Sequence, residues 1–188
     1  NWWVCEKILQ RKTVVFHVFG SIDIGMGHIY HALSLAHEIT NHEVYFVCDQ
    51  KYELAVRKIA SMDYKVVSSS NVEREIIDLK PDIVINDILN TSRSFIKSLR
   101  SKGICVVNFE DLGSGSRYAN MVFNEIYETP QIEGKSFYWG HEFVTLRDEF
   151  NEAKTNSFKS NVNEVLIMFG GVDKHNLTLV ALKAVVKI

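Results

Sequence analysis

The sequence predicts a doubly wound, parallel α/β sheet, on two observations. Short β-rich apolar runs alternate with segments of helical periodicity through most of the 188 residues, and such alternation pairs strands in parallel through right-handed crossovers. The first run, with Val14, Val15, Phe16, Val18 and Phe19, is apolar almost throughout rather than at every second position, as in a strand buried on both faces.

The elements follow in order. Residues 1–12 set Trp2, Trp3, Val4, Ile8 and Leu9 against charged neighbours, a lead segment suited to a short helix or strap. A strand from Thr13 then breaks at a glycine-bearing loop, and Ile29, Ala32, Leu33, Leu35, Ala36 and Ile39 recur at three- and four-residue steps, one face of a helix. Glu43 to Cys48 is a second strand, with Asp49 at its end, and a helix runs from Lys51 to Ala60. Lys65 to Ser68 is a third strand; Asn71 or Ser70 caps a short helix that carries Glu73 and Glu75 in its first turn and closes before Pro81. Asp82 to Asp87 is a fourth strand, Thr91 to Lys102 a helix ended by Gly103, and Ile104 to Phe109 a fifth strand with Glu110 and Asp111 behind it. Met121 to Phe123 is a short sixth strand. Residues 129–136 read as loop, and residues 151–162 as a polar linker. Glu164 to Phe169, closed by Gly170 and Gly171, then reads as one more strand followed by a helix from Lys174 or Asn176. This organisation implies a lead segment at 1–12, a Rossmann-like domain at 13–150, a linker at 151–162 and the first strand and helix of a second, truncated domain at 163–188.

The junction Gly25-Met26-Gly27-His28 concentrates the chemistry. A helix N-terminus carries unpaired N–H groups and partial positive charge, a seat for an anionic ligand, and glycines let a ligand approach the backbone. The same field disfavours a protonated imidazole, which would leave His28 able to accept a proton near neutral pH as a general base. Alternatively the glycines shape a turn and His28 caps the helix. In a doubly wound sheet ligands bind outside the carboxyl ends of the strands, where Asp49, Asp87, Glu110, Asp111 and Asn124 would gather around this junction. Asp49 also stands where a dinucleotide fold holds a ribose, but the loop lacks a third glycine.

Composition bounds the partners. A net charge of −2 gives no basic footprint for nucleic acid and no polybasic membrane patch. No apolar run reaches the roughly 20 residues of a membrane span and no signal peptide precedes the first strand, so the chain reads as cytoplasmic. Cys5, Cys48 and Cys105 are odd in number and widely spaced, as expected of free thiols. No metal-ligand set and no cofactor motif is evident. A chain starting at Asn1 without Met, and ending in a helical run with no stop signal, is expected to be a fragment of something longer. An exposed apolar helix at that end would suit a partner, including a second copy of the chain.

Three motifs in register, Gly25-Met26-Gly27-His28 with the following ALSLA, Leu146-Arg147-Asp148-Glu149-Phe150, and Phe169-Gly170-Gly171-Val172-Asp173 with Asn176 and Thr178, resemble the PseG family. These are UDP-sugar hydrolases of pseudaminic acid biosynthesis, related to the MurG-type glycosyltransferases. The resemblance runs from Val14 to Leu182. It implies a glycosyltransferase B fold of two Rossmann-like domains, of which this chain carries the N-terminal half. It implies hydrolysis of a UDP-linked acetamido-deoxy-hexose with inversion, His28 deprotonating the attacking water, and no cofactor or metal. Substrate-binding residues are then expected at Gly25, Gly27, Asp87, Asp111, Asn124, Arg147, Gly170, Gly171 and Asp173.

The chain departs from the family at several positions. A basic and an acidic residue on the first strand are replaced by His17 and Phe19, an Arg three places after the histidine by His31, and the Asp-x-Tyr after the fourth strand by Asp87-Ile88-Leu89. These losses imply a different sugar or lost catalysis. The lead segment is similar to the junction behind a CMP-sialic acid synthetase (acylneuraminate cytidylyltransferase), which implies a fused partner domain. Three functions compete: a nucleotide-sugar hydrolase, a non-catalytic nucleotide-sugar-binding or regulatory module on such a synthetase, and a glycosyltransferase of the same fold.

Overall fold

The computed structural model describes residues 10–154, 157, 160–170, 173 and 175–186. Seven strands, β1 (Thr13–Val18), β2 (Glu43–Asp49), β3 (Lys65–Ser69), β4 (Ile83–Asp87), β5 (Cys105–Phe109), β6 (Met121–Asn124) and β7 (Phe137–Trp139), form one sheet in the order β3-β2-β1-β4-β5-β6-β7. Every pair is parallel. The helices are α1 (Gly27–Glu38), α2 (Glu53–Ala60), α3 (Val72–Asp78), α4 (Arg93–Ser101), α5 (Asp148–Asn151) and α6 (Leu177–Val185). The chain order reverses between β1 and β4, so the switch point of the sheet, where such folds open a crevice, lies at the ends of these two strands.

Side-chain alternation sorts the core into two layers. On one face Val14, Phe16 and Val18 of β1, with Phe46, Cys48 and Ile85, meet Ile29, Ala32, Leu33 and Ala36 of α1 and Ala55 and Ile59 of α2. On the other, Val15, Val47, Val84 and Val106 pack on Ile76 of α3 and Ile96 and Leu99 of α4. Each of these larger side chains contributes about 1.5–3 kcal/mol by leaving water. Capping follows the expected chemistry: Asn71 accepts a hydrogen bond from Arg74 N–H at 3.2 Å, and Ser92 from Phe95 N–H at 3.3 Å.

Two elements differ from the sequence reading. Phe137–Trp139 is a strand, seated by stacking of Tyr138 on Phe123 at 4.8 Å between ring centroids; three aromatic residues are too few to show a period. Residues 164–169, expected to be a strand, form none, and Val165, Leu166 and Met168 are exposed. A strand requires a neighbouring ladder, and no described strand lies beside this one. Helix α6 forms as expected, with none of its residues buried. Cys48 and Cys105 are free thiols, the first pushed up to about 12 by burial. The lead-segment residues Trp2, Trp3 and Cys5 lie outside the described residues. No helix among the described residues is long and apolar enough to cross a membrane.

Candidate functional site

Strand β1 delivers the chain to the switch point, and the loop 19–26 turns it into α1. Gly20 is the residue this turn requires, since a Cβ there would stand 2.7 Å from Ile29 Cγ1. Gly25 holds φ +92° and closes the loop through its N–H to the Ser21 carbonyl at 2.8 Å. A Cβ on Gly25 or Gly27 would meet nothing within 4 Å, so both face open space. The first turn of α1 has no side-chain cap. The N–H groups of Ile29 and Tyr30 close on the Met26 carbonyl, and those of Gly27 and His28 have no hydrogen-bond partner among the described residues.

The register of β1 on β4 sets Asp87 beside Val18, at the mouth of this loop. His28 and His31, three residues apart on α1 and therefore on one face, both reach Asp87. His28 Nδ1 lies 2.5 Å from Oδ1, and His31 Nδ1 lies 2.6 Å from Oδ2. The second nitrogen of His31 lies 3.2 Å from Glu125 Oε1, and its ring sits edge-on to Phe109 at 4.7 Å. Phe19 packs on the His28 ring at 4.6 Å.

The electrostatics follow from these contacts. Asp87 is 1% exposed; burial alone would raise it, but the hydrogen bonds from His28 and His31 outweigh that and hold it below the ordinary carboxylate range. Burial would likewise lower His31, yet its bonds to Asp87 and Glu125 raise it from 6.5 to about 9. His31 is thus protonated at neutral pH and supplies a cation where the resemblance led us to expect the loss of one. Since Asp87 is an anion and can only accept, the His28 Nδ1 that it contacts carries a hydrogen, so in the neutral ring the lone pair lies on Nε2. No hydrogen bond within the described residues engages that atom. Glu110, beyond β5, is raised, chiefly by burial, against the pull of the Glu125 and Ile126 N–H groups on its Oε1. Its Oε2 and both polar side-chain atoms of the fully buried Asn124 have no partner among the described residues.

The neighbouring residue on β4 points to the opposite face. Asn86 accepts from His17 Nδ1 at 3.0 Å and donates to Asn108 Oδ1 at 2.8 Å; burial brings His17 down to about 4, so it is neutral and its Nδ1–H is the donor. Asn108 donates in turn to Asp111 Oδ2 at 2.5 Å, which also accepts from Thr91 Oγ1, while Oδ1 accepts from the N–H groups of Thr91 and Gly113. Four donors fill a carboxylate, and Asp111 is fully buried. It ties the loop after β5 to the start of α4, and the expectation that it binds substrate is corrected: no acceptor site remains for one.

The other expected residues lie apart. Arg147 borders a cavity of about 640 Å³ between α1, α2 and residues 145–149, with Tyr30 and Lys58 on the facing walls; its guanidinium stands over the Phe150 ring. The Thr145 N–H bonds Glu125 Oε2 at 3.4 Å, the one described tie from this segment to the histidine cluster. Asp173 accepts from the N–H groups of Leu177 and Thr178, at 2.7 and 2.8 Å, and so caps α6. Gly170, with φ +69°, is exposed to open space, and Gly171 lies outside the described residues. The structure therefore unites Gly25, Gly27, His28 and Asp87 at one mouth and does not bring Arg147, Gly170 or Asp173 to it. Sequence reasoning missed Glu125, whose position directly after Asn124 on the same strand end was the available signal. A smaller cavity of about 310 Å³, lined by His17, Phe19, Asp49, Lys51, Tyr52 and Ile88, adjoins His28 through the Phe19 ring. Among the described residues no cluster could hold a metal ion.

No known protein-family profile matches the chain. It is similar to the uncharacterized protein MJ1062 of Methanocaldococcus jannaschii, at 31% identity over 179 residues that take in 85% of this chain and 37% of that protein. The chain thus spans little more than a third of that relative's length. Its backbone is similar to the crystal structure of Acinetobacter baumannii MurG, with a TM-score of 0.51 at 17% identity, over 68% of this chain and 44% of MurG. That likeness establishes a Rossmann-like α/β fold of the glycosyltransferase B kind.

Proposed function

We propose that the chain carries the catalytic half of a nucleotide-sugar hydrolase that releases UDP from a UDP-linked acetamido-deoxy-hexose. The observation that carries this reading is the 2.5 Å contact of His28 Nδ1 with a buried, anionic Asp87, at the uncapped N-terminus of α1. Asp87 fixes the tautomer, and Nε2 takes the proton of a water as that water's oxygen attacks the anomeric carbon. The bond from that carbon to the diphosphate breaks, and its electron pair leaves with UDP. A positioned base of this kind contributes about 10²–10⁴-fold. The free N–H groups of Gly27 and His28 suit a diphosphate oxygen, and the cavity beside Phe19, with its aromatic and polar lining, suits a pyranose with polar substituents.

The test is UDP release from a panel of UDP-acetamido-sugars by the longest gene product and its His28→Ala variant. Release by the parent and none by the variant supports the hydrolase. Binding without release from any sugar replaces it with a non-catalytic module, such as one fused to a CMP-sialic acid synthetase. The likeness to MurG supports one further reading, a sugar transferase. That reading requires an acceptor, and UDP released in water alone counts against it.

A further inference from the structure

We propose that His31 is a positioning residue: a permanent imidazolium clamp, bonded through both ring nitrogens to Asp87 and Glu125, that holds Asp87 turned toward His28 so that His28 presents Nε2 to solvent. Only its effect on rate rests on the hydrolase reading.

The argument is geometric. A neutral imidazole has one donor and one acceptor nitrogen, and a carboxylate can only accept. A ring with a carboxylate at each nitrogen, at 2.6 and 3.2 Å, satisfies both only when both nitrogens carry hydrogen. The ring is four-fifths buried, its side chain 18% exposed, and Phe109 fixes its plane. The charged groups that face it are Asp87 on β4, Glu125 after β6, Glu110 after β5 and His28 one turn earlier on α1. Two of these carboxyl groups, Asp87 and Glu125, are in hydrogen-bond contact with it, one at each ring nitrogen, so the cation is retained through neutral pH, in accord with its rise to about 9.

The consequence concerns Asp87. A buried carboxylate serving one histidine could rotate, or take up a proton. With Oδ2 held by the imidazolium, Oδ1 has one orientation left, toward His28 Nδ1. Glu125 in turn holds the far side of His31 and is itself tied to the Thr145 N–H. The chain of contacts from residue 145 to His28 thus sets one tautomer of the base.

The test is nitrogen-15 NMR of the histidine rings in the 188-residue chain, with the His31→Gln and His31→Arg variants, beside the UDP-release assay. Near pH 7.5 the parent is expected to show both His31 nitrogens protonated and His28 as its Nδ1–H tautomer. His31→Gln mixes the His28 tautomers and lowers kcat by about 10- to 100-fold with KM little changed, the loss typical of a partner that orients a functional histidine; His31→Arg, which keeps the charge, restores the tautomer and most of that rate. A neutral His31 ring near pH 7.5, or an unchanged His28 tautomer in His31→Gln, overturns the clamp. Where His31→Gln fails to fold, Glu125→Gln decides: it must bring the alkaline titration of His31 back toward its ordinary range, and an unmoved titration overturns the proposal. If the parent releases UDP from no sugar, the hydrolase reading fails while the NMR result still decides the clamp.

Discussion

Replacing Asp87 by Asn is the sharpest perturbation of the histidine cluster, because it keeps the shape and removes the charge. The side chain is 1% exposed and both oxygens are engaged. An Asn offers one acceptor and one amide donor. The acceptor is claimed by His31, whose Nδ1–H is the stronger donor, so the amide turns to His28 Nδ1. That nitrogen must then accept, its proton moves to Nε2, and the lone pair needed for base catalysis is gone. One charge-assisted hydrogen bond becomes a neutral one, and an imidazolium loses one of its two anions, a destabilisation of about 1.5–3 kcal/mol. The rate of UDP release should fall by about 10²–10⁴-fold, with sugar-nucleotide binding retained. Urea unfolding reads the first quantity and a coupled UDP assay the second. A variant with full stability and a rate within about tenfold of the parent would refute the assignment of Asp87 as the group that orients His28.

Other outcomes follow from the same geometry. Stability should peak between the two histidine limbs: His17, depressed to about 4, contributes stability that is full above pH 6.5 and lost as pH falls toward 4, whereas His31 contributes stability present below pH 6.5 and lost as pH rises through about 9, worth about 3 kcal/mol. Urea midpoints from pH 4 to pH 10 that rise steadily with no alkaline fall would contradict the His31 assignment. Asp111→Ala strands four donors, three of them in buried hydrogen bonds, and should cost about 4 kcal/mol; a loss within about 0.5 kcal/mol would show that the network around Thr91 re-forms without it. Gly20→Ala should destabilise by about 1–3 kcal/mol through its 2.7 Å approach to Ile29, while Gly27→Ala, facing open space, should leave stability unchanged and show its effect only in nucleotide binding.

The layers were legible in the sequence because apolar runs such as Val14–Val18 and the α1 stripe Ile29, Ala32, Leu33 and Ala36 carry their own period, and period decides which face is buried. His28 was legible because a histidine after Gly-x-Gly at a strand-to-helix turn has few other places to be. Its partner was not. Asp87 lies 59 positions away, and only the register of β1 on β4 decides that β4 meets the α1 face with Asp87 and the opposite face with Asn86. Asp111 misled for the converse reason: an acid just past a strand end looks like a rim residue, and nothing local announces that Thr91 and Gly113 will close over it. His31 read as a lost cation because residue type alone does not carry charge; the two carboxylates that charge it come from separate strands.

The alternation along β4 also separates what the two halves of the polar system do. Asn86 and Asp87 are adjacent, both nearly fully buried, yet they anchor networks on opposite sides of one sheet. Through Asn86, the chain His17, Asn108, Asp111 and Thr91 cross-braces β1, β4 and β5 with neutral groups around one saturated carboxylate, a framework of hydrogen bonds internal to the protein. Through Asp87, the cluster under α1 keeps one nitrogen of His28 uncommitted, while Glu110 Oε2 and the fully buried Asn124 amide stand unpartnered at the same sheet edge. A framework gains by satisfying every polar group, whereas a site must leave some unsatisfied until a ligand arrives. By that criterion the candidate site lies on the α1 face of β4.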